Sequence, residues 1–187
     1  MKRFIHTSYD EYVVSQIEET NYKLGRVAIQ EEEIRLIALY LGPVKLGLCH
    51  GVRTGKEVDW FHYYTGAEVL GTEICPSLKK ANVITWDFHR AKKEWKGKFD
   101  FIYSNALDHS YDPEACIHVW INCLNRQGLC IIRWDETNNQ PVGSGDCTQI
   151  SFSDMYQLSR SYLRDVLKKR WKLQHYWFVL GRQVPFL

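Results

Sequence analysis

Hydrophobic and polar positions change period along the chain. Between residues 9 and 22 Tyr9, Tyr12, Val13 and Ile17 fall on one face of a charged segment, and between 31 and 41 Ile34, Ile37, Ala38 and Leu41 recur at helical spacing. Both segments are predicted to be helices. Three glutamates open the second, where the helix dipole favours acids, and Gly42-Pro43 closes it. This N-terminal part, residues 1–42, is expected to pack on the rest of the chain or cover its ligand cleft.

From residue 44 short apolar runs alternate with amphipathic ones. Residues 44–49, 67–73, 82–86, 99–104 and 129–134 read as buried strands. Residues 56–64 read as a helix with Val58, Phe61 and Tyr64 inward. A second helix starts with Asp112 as N-cap and Pro113 at the first helical position, burying Ile117, Trp120, Ile121 and Leu124. Gly128 ends the connection to the fifth strand. Alternating strand and helix implies parallel pairing through right-handed crossovers.

The remainder reads as a polar loop over residues 135–146, suited to a lid, and a brief strand at 148–152. A helix capped by Ser153 would then run to about Arg170, with Met155, Leu158, Tyr162 and Val166 on one face and Lys168-Lys169-Arg170 at its end. A last aromatic strand covers 173–180. The expected fold class is α/β: a Rossmann-like, doubly wound, mostly parallel sheet with an antiparallel C-terminal strand and N-terminal helices, all in one domain over residues 1–187.

Composition narrows the chemistry. A net charge of +2 gives no strong field for nucleic acid. The six cysteines contain no Cys-x-x-Cys pair, no His/Asp cluster has metal-ligand spacing, and no metal is expected. With no apolar leader and no run of about 18 apolar residues, neither secretion nor a membrane is indicated, and a reduced, cytoplasmic protein is expected.

The candidate site begins at Cys49-His50-Gly51-Val52-Arg53-Thr54-Gly55-Lys56-Glu57, after a predicted strand and before a predicted helix. Glycines there let the backbone turn and approach a ligand. Glu73 ends the second strand with Ile74 directly after it, and Asp87-Phe88 sits at the end of the third. A carboxylate at the first place suits ribose hydroxyls; at the second, with Phe88 beside it, it suits an adenine amino group.

On these residues the stretch from Val44 to Trp134 resembles a class I S-adenosylmethionine-dependent methyltransferase. Gly51, Arg53 and Gly55 resemble the family's glycine-rich first motif, Glu73 its ribose acid, Asp87 and Phe88 its adenine pair, and Asn105 the cofactor-facing end of strand four. Leu124-Asn125-Arg126-Gln127-Gly128-Leu129 resembles the turn before strand five. Arg53 stands where the middle glycine is usual, and Cys49 where a strand acid is common. Arg53 is read as a donor to the methionine carboxylate, oriented by Glu57; the alternative is a surface pair between the two.

The resemblance implies S-adenosylmethionine as cofactor. His109, whose imidazole titrates near neutrality, is read as general base, with Asp108 orienting it or acting alone; both can equally brace the next helix. His89 reads as a loop histidine that can also reach the cleft. Motifs for methylating exocyclic base amines or cytosine are missing. Elimination therefore favours oxygen methylation of a sugar, a glycan or another small molecule. The alternatives are a non-catalytic methyltransferase-like partner subunit, an RNA methyltransferase and, least favoured, an NAD-dependent oxidoreductase, whose Gly-x-Gly-x-x-Gly the 51–56 loop does not supply. Oligomeric state is open.

Overall fold

A computed structural model describes residues 1–77, 79–135, 142, 143, 145–168 and 175–182. After a two-residue strand β1 (Lys2–Arg3), Ser8 caps helix α1 (Tyr9–Tyr22) by accepting from Glu11 N–H, and α2 (Glu31–Leu41) follows. The chain continues as β2 (Leu46–His50), α3 (Lys56–Thr65), β3 (Glu68–Glu73), β4 (Val83–Thr85), β5 (Phe99–Ser104), α4 (Pro113–Cys123) and β6 (Leu124–Asp135). It ends with β7 (Thr148–Gln149), α5 (Phe152–Ser159), β8 (Leu163–Lys168) and β9 (His175–Gly181).

Seven strands form one sheet in the order β4-β3-β2-β5-β6-β9-β8. The run from β4 to β6 is parallel; β9 pairs antiparallel with both β6 and β8. The Rossmann-like α/β expectation therefore holds. Strand order reverses between β2 and β5, so a crevice opens beyond their carboxyl ends. Side-chain alternation builds a core on each face. Along β5, Ile102 joins Trp120, Ile117 and Ile132 beneath α4, while Phe101 and Tyr103 join Ile34, Val58 and Phe61 beneath α2 and α3. All six cysteines are free and buried.

The C-terminal third departs from the expected pattern. The helix predicted over 153–170 ends at Ser159, and residues 163–168 are strand β8. Ser159 turns its hydroxyl back to the carbonyls of Met155 (2.7 Å) and Tyr156 (3.3 Å), and Tyr162 N–H closes a turn on Ser159 O. Tyr162 and Val166 still pack against the core, so an apolar spacing that looked helical is met by a strand whose N–H and C=O groups pair with the free edge of β9. Ser151, not Ser153, caps α5, in a box with Asp154.

The strand predicted at 148–152 shrinks to β7, which pairs with β1 through contacts no local pattern announces. Strand β6 starts at Leu124 instead of 129; residues 124–128, read as a turn, extend it across a register shift opposite Phe99 and Phe101. Of the loop and strand predicted at 135–146 and 173–180, residues 136–141, 144, 173 and 174 lie outside the described residues, as do residues 169 and 170.

Candidate functional site

Strand β2 delivers its chain to the carboxyl edge of the sheet and turns there at Gly51 (φ 67°). The N–H groups of Gly51 and Val52 donate to Thr72 O at 2.9 and 3.2 Å, which ties the turn to β3. A Cβ at Gly51 would lie 2.5 Å from that of Ala106, so a glycine is required on space as well as on angle. Arg53 has φ 37°, the one positive value on a non-glycine among the described residues. This left-handed geometry explains why a glycine would fit the position. Its guanidinium reaches Arg26 O at 3.3 Å.

Glu73 ends β3 with both oxygens engaged. Oε2 accepts from Arg53 N–H at 2.8 Å; Oε1 accepts from Cys75 N–H at 3.1 Å and from the Thr20 hydroxyl at 3.4 Å. Asp87, beyond β4, is held more tightly. Its Oδ1 lies 2.9 Å from His89 N and 2.6 Å from His89 Nδ1, and its Oδ2 accepts from the Tyr9 hydroxyl at 2.9 Å. Burial alone would raise this carboxyl, but the His89 and Tyr9 hydrogen bonds outweigh it and hold the group below the usual carboxylate range. Oδ2 keeps room for one more donor. Tyr9, partly buried and facing that carboxylate, is pushed up to about 12.

His89 is buried and ends on Ser110 Oγ at 2.9 Å. It braces Asp87 and does not line the cavity. His50 lies stacked on Trp120, and burial lowers it to about 3, so it is a neutral prop beneath the loop.

On the other side of the crevice Asn105 follows β5, and Asp108 and His109 sit on a single 3-10 turn, Leu107–His109. His109 Nδ1 is 2.9 Å from Gly145 O. A carbonyl only accepts, so Nδ1 carries a proton. Asp146 approaches His109 Nδ1 at 3.5 Å and Lys23 at 3.7 Å. Burial pushes the Asp108 carboxyl up.

Asp108, His109 and Asp146 bring possible ligand atoms within 4.8 Å of one another, a grouping that linear spacing hides because Asp146 comes from the far side of a loop. Lys23 lies 3.7 Å from Asp146 and pairs more closely with Glu19, and His109 Nδ1 is committed to a carbonyl.

These pieces enclose one cavity of about 370 Å³, within the ~300–1,000 Å³ range of small-molecule sites. Gly51, Arg53, Glu73, Ile74, Asp87, Phe88, Asn105, Asp108 and His109 all line it. Gly55 does not: it caps α3 with φ 69°, and its carbonyl accepts from Lys80 Nζ at 2.9 Å. Helix α1 and the segment after it form the roof, through Tyr12, Gln16, Thr20, Lys23 and Arg26. Glu57 lies in the wall in the first turn of α3; among the described residues no ion pair joins it to Arg53 and no donor reaches its buried Oε2. The sequence placed residues 1–42 on the domain or over its cleft without naming which side chains would reach it, and it did not point to Asp146, which meets His109 and Lys23 across the chain.

Neither a protein-family model nor a curated protein matches the chain in sequence. Solved structures match it in shape. A 1,6-didemethyltoxoflavin-N1-methyltransferase from Burkholderia thailandensis, solved with S-adenosylhomocysteine, superposes with a TM-score of 0.72 at 13% identity, over 96% of this chain and 92% of that one. A sugar N-methyltransferase from a Streptoalloteichus species gives 0.64 at 13% identity, over 98% and 96%. A TehB-like methyltransferase from Corynebacterium glutamicum gives 0.63 at 16% identity, over 93% and 98%. The chain therefore has the Rossmann-like fold of S-adenosylmethionine-dependent class I methyltransferases. Among the described residues no helix is long and apolar enough to cross a membrane.

Proposed function

We propose that the protein is an S-adenosylmethionine-dependent methyltransferase acting on a small molecule. One observation carries this reading: two strand-end carboxylates, Glu73 and Asp87, share a single cavity with the Gly51 turn and with the Asn105–His109 segment, at the point where strand order reverses. The donor and acceptor chemistry fits an adenosyl amino acid. Glu73 and Ile74 hold the ribose, Asp87 Oδ2 and Phe88 the adenine, and Gly51 with Arg53 the amino-acid end, while Asn105 faces the sulfur. Bound S-adenosylmethionine supplies a methyl group already activated on a sulfonium, so the chain has only to align an acceptor and take its proton.

Nε2 of His109 is the group for that proton, since Nδ1 donates to Gly145 O. Asp108, adjacent to it, lines the same cavity. A hydroxyl of a sugar or another small metabolite is the acceptor that needs such a base. Calorimetric titration with S-adenosylmethionine, S-adenosylhomocysteine and NAD tests the cofactor; the two sulfur nucleosides should bind and NAD should not. Binding of NAD alone would refute the reading. Transfer of labelled methyl to fractionated metabolites and glycans then tests the acceptor, and label appearing only on RNA would refute the small-molecule assignment.

A further inference from the structure

The carboxylates that line the cavity are not equally engaged. Glu73 and Asp87 accept donors from their own chain on both oxygens. At the Asn105–His109 end three acids, Glu19, Asp108 and Asp146, stand around one lysine, Lys23. That lysine pairs with Glu19 and lies 3.7 Å from Asp146. Asp108 is left over. Among the described residues only its own N–H donates to its carboxylate, which burial pushes up, His109 pulls down and Asp146 pushes up again. Asp108 also lines a smaller cavity of about 30 Å³ with Asn105 and Thr148, so it stands where the two spaces meet. A carboxylate drawn partly out of water is costly until a donor or a cation meets it.

The geometry selects the kind of cation. Possible ligand atoms of Asp108, His109 and Asp146 lie within 4.8 Å of one another. The imidazole nitrogen 3.5 Å from Asp146 is Nδ1, whose proton goes to Gly145 O, so it has no lone pair for a metal. A hard divalent ion takes roughly six oxygens, and two carboxylates supply few of them. They suit an ammonium, which brings donors only. We propose that the acceptor is an amino alcohol or an amino sugar, its ammonium held by Asp108 and Asp146 while its hydroxyl meets His109. The inference rests on the small-molecule reading and names the class of that molecule. An ammonium held between carboxylates has no lone pair for a methyl group, so the amine marks the substrate and the hydroxyl reacts.

Wild type tests this without a variant. A metabolite extract is divided, and one half is treated with acetic anhydride in aqueous bicarbonate, which turns amines into neutral amides and spares hydroxyls. With labelled S-adenosylmethionine the untreated half should give a labelled product that a cation exchanger retains at about pH 7 and that still reacts with acetic anhydride. The acetylated half should take up less label by roughly tenfold or more. Equal labelling of the two halves overturns the proposal. So does label bound to nitrogen, or labelling that EDTA abolishes and a divalent metal restores.

Asp108→Asn provides the second measurement. Its KM for the acceptor so isolated should rise roughly tenfold or more, the usual worth of a hydrogen bond to a charged group, with S-adenosylhomocysteine affinity within about twofold of wild type. Asp108→Glu should recover part of the loss. A variant that keeps its KM but binds S-adenosylmethionine worse relative to S-adenosylhomocysteine assigns Asp108 to the sulfonium charge and overturns the proposal. Wild type that binds S-adenosylhomocysteine yet labels neither half overturns the small-molecule reading, and this inference with it.

Discussion

Replacing Glu57 by Gln is expected to stabilise the ligand-free protein, and only above a defined pH. Burial raises the Glu57 carboxyl from 4.5 to about 7, opposed in part by its own backbone N–H and by the charges of Arg53 and Lys80. The difference is about 7 − 4.5, or about 2.5 units, each worth about 1.4 kcal/mol. The sign follows from proton counting. Below about pH 4.5 the group is protonated in both the folded and the unfolded chain and contributes nothing. Between about 4.5 and about 7 the folded chain keeps the proton that the unfolded chain has lost, so the fold weakens as pH rises. Above about 7 the full cost, about 3 kcal/mol, is present.

An amide of the same shape does not ionise and escapes that cost. For a chain of 187 residues about 3 kcal/mol corresponds to a rise of roughly 6–12 °C in melting temperature. The assay is thermal denaturation of both proteins from about pH 4.5 to about pH 8.5, followed by circular dichroism. The two curves should coincide at the acid end and separate through neutrality. A variant that melts at or below wild type at alkaline pH would refute the cost assigned to burying this carboxylate.

Two further outcomes follow from the cavity. Glu73→Ala should weaken S-adenosylhomocysteine binding by roughly 10–100-fold, the loss of a charged hydrogen-bond partner worth about 1.5–3 kcal/mol, read by calorimetry; unchanged affinity would remove Glu73 from the ribose. His109→Ala should lower turnover on an identified acceptor while S-adenosylhomocysteine affinity stays within about twofold, and full activity would remove His109 as base.

The sheet was legible in the sequence where local and global demands agree. Buried on both faces, β2, β3 and β5 read as short apolar runs, and Asp112-Pro113 announced α4 within a residue. The Gly51 turn and the acids after β3 and β4 were visible because a parallel sheet delivers its strand ends to one edge. β8 was not visible, since Leu158, Tyr162 and Val166 satisfy a helical period until β9 presents its edge. Nor could one sequence show that Tyr9 would cross from α1 to Asp87, or that Thr20 would reach Glu73, because such pairs depend on closure of the whole chain. Glu57 was noticed for its spacing from Arg53; the guanidinium instead reaches Arg26 O, a contact no local spacing announces.

The six thiols carry a consequence of their own. Every one is at most 1% exposed, and burial pushes Cys123 up to about 11 and Cys147 up to about 12. Nucleophilic sulfur is therefore sealed away in the native chain, and a water-soluble alkylating reagent has to wait for the protein to open. Mass spectrometry of alkylation should then show molecules bearing either no label or nearly all six, with few between, giving a direct count of opening events. Early labelling confined to Cys75 or Cys147, the two that contact α1, would instead reveal that the roof lifts without the rest.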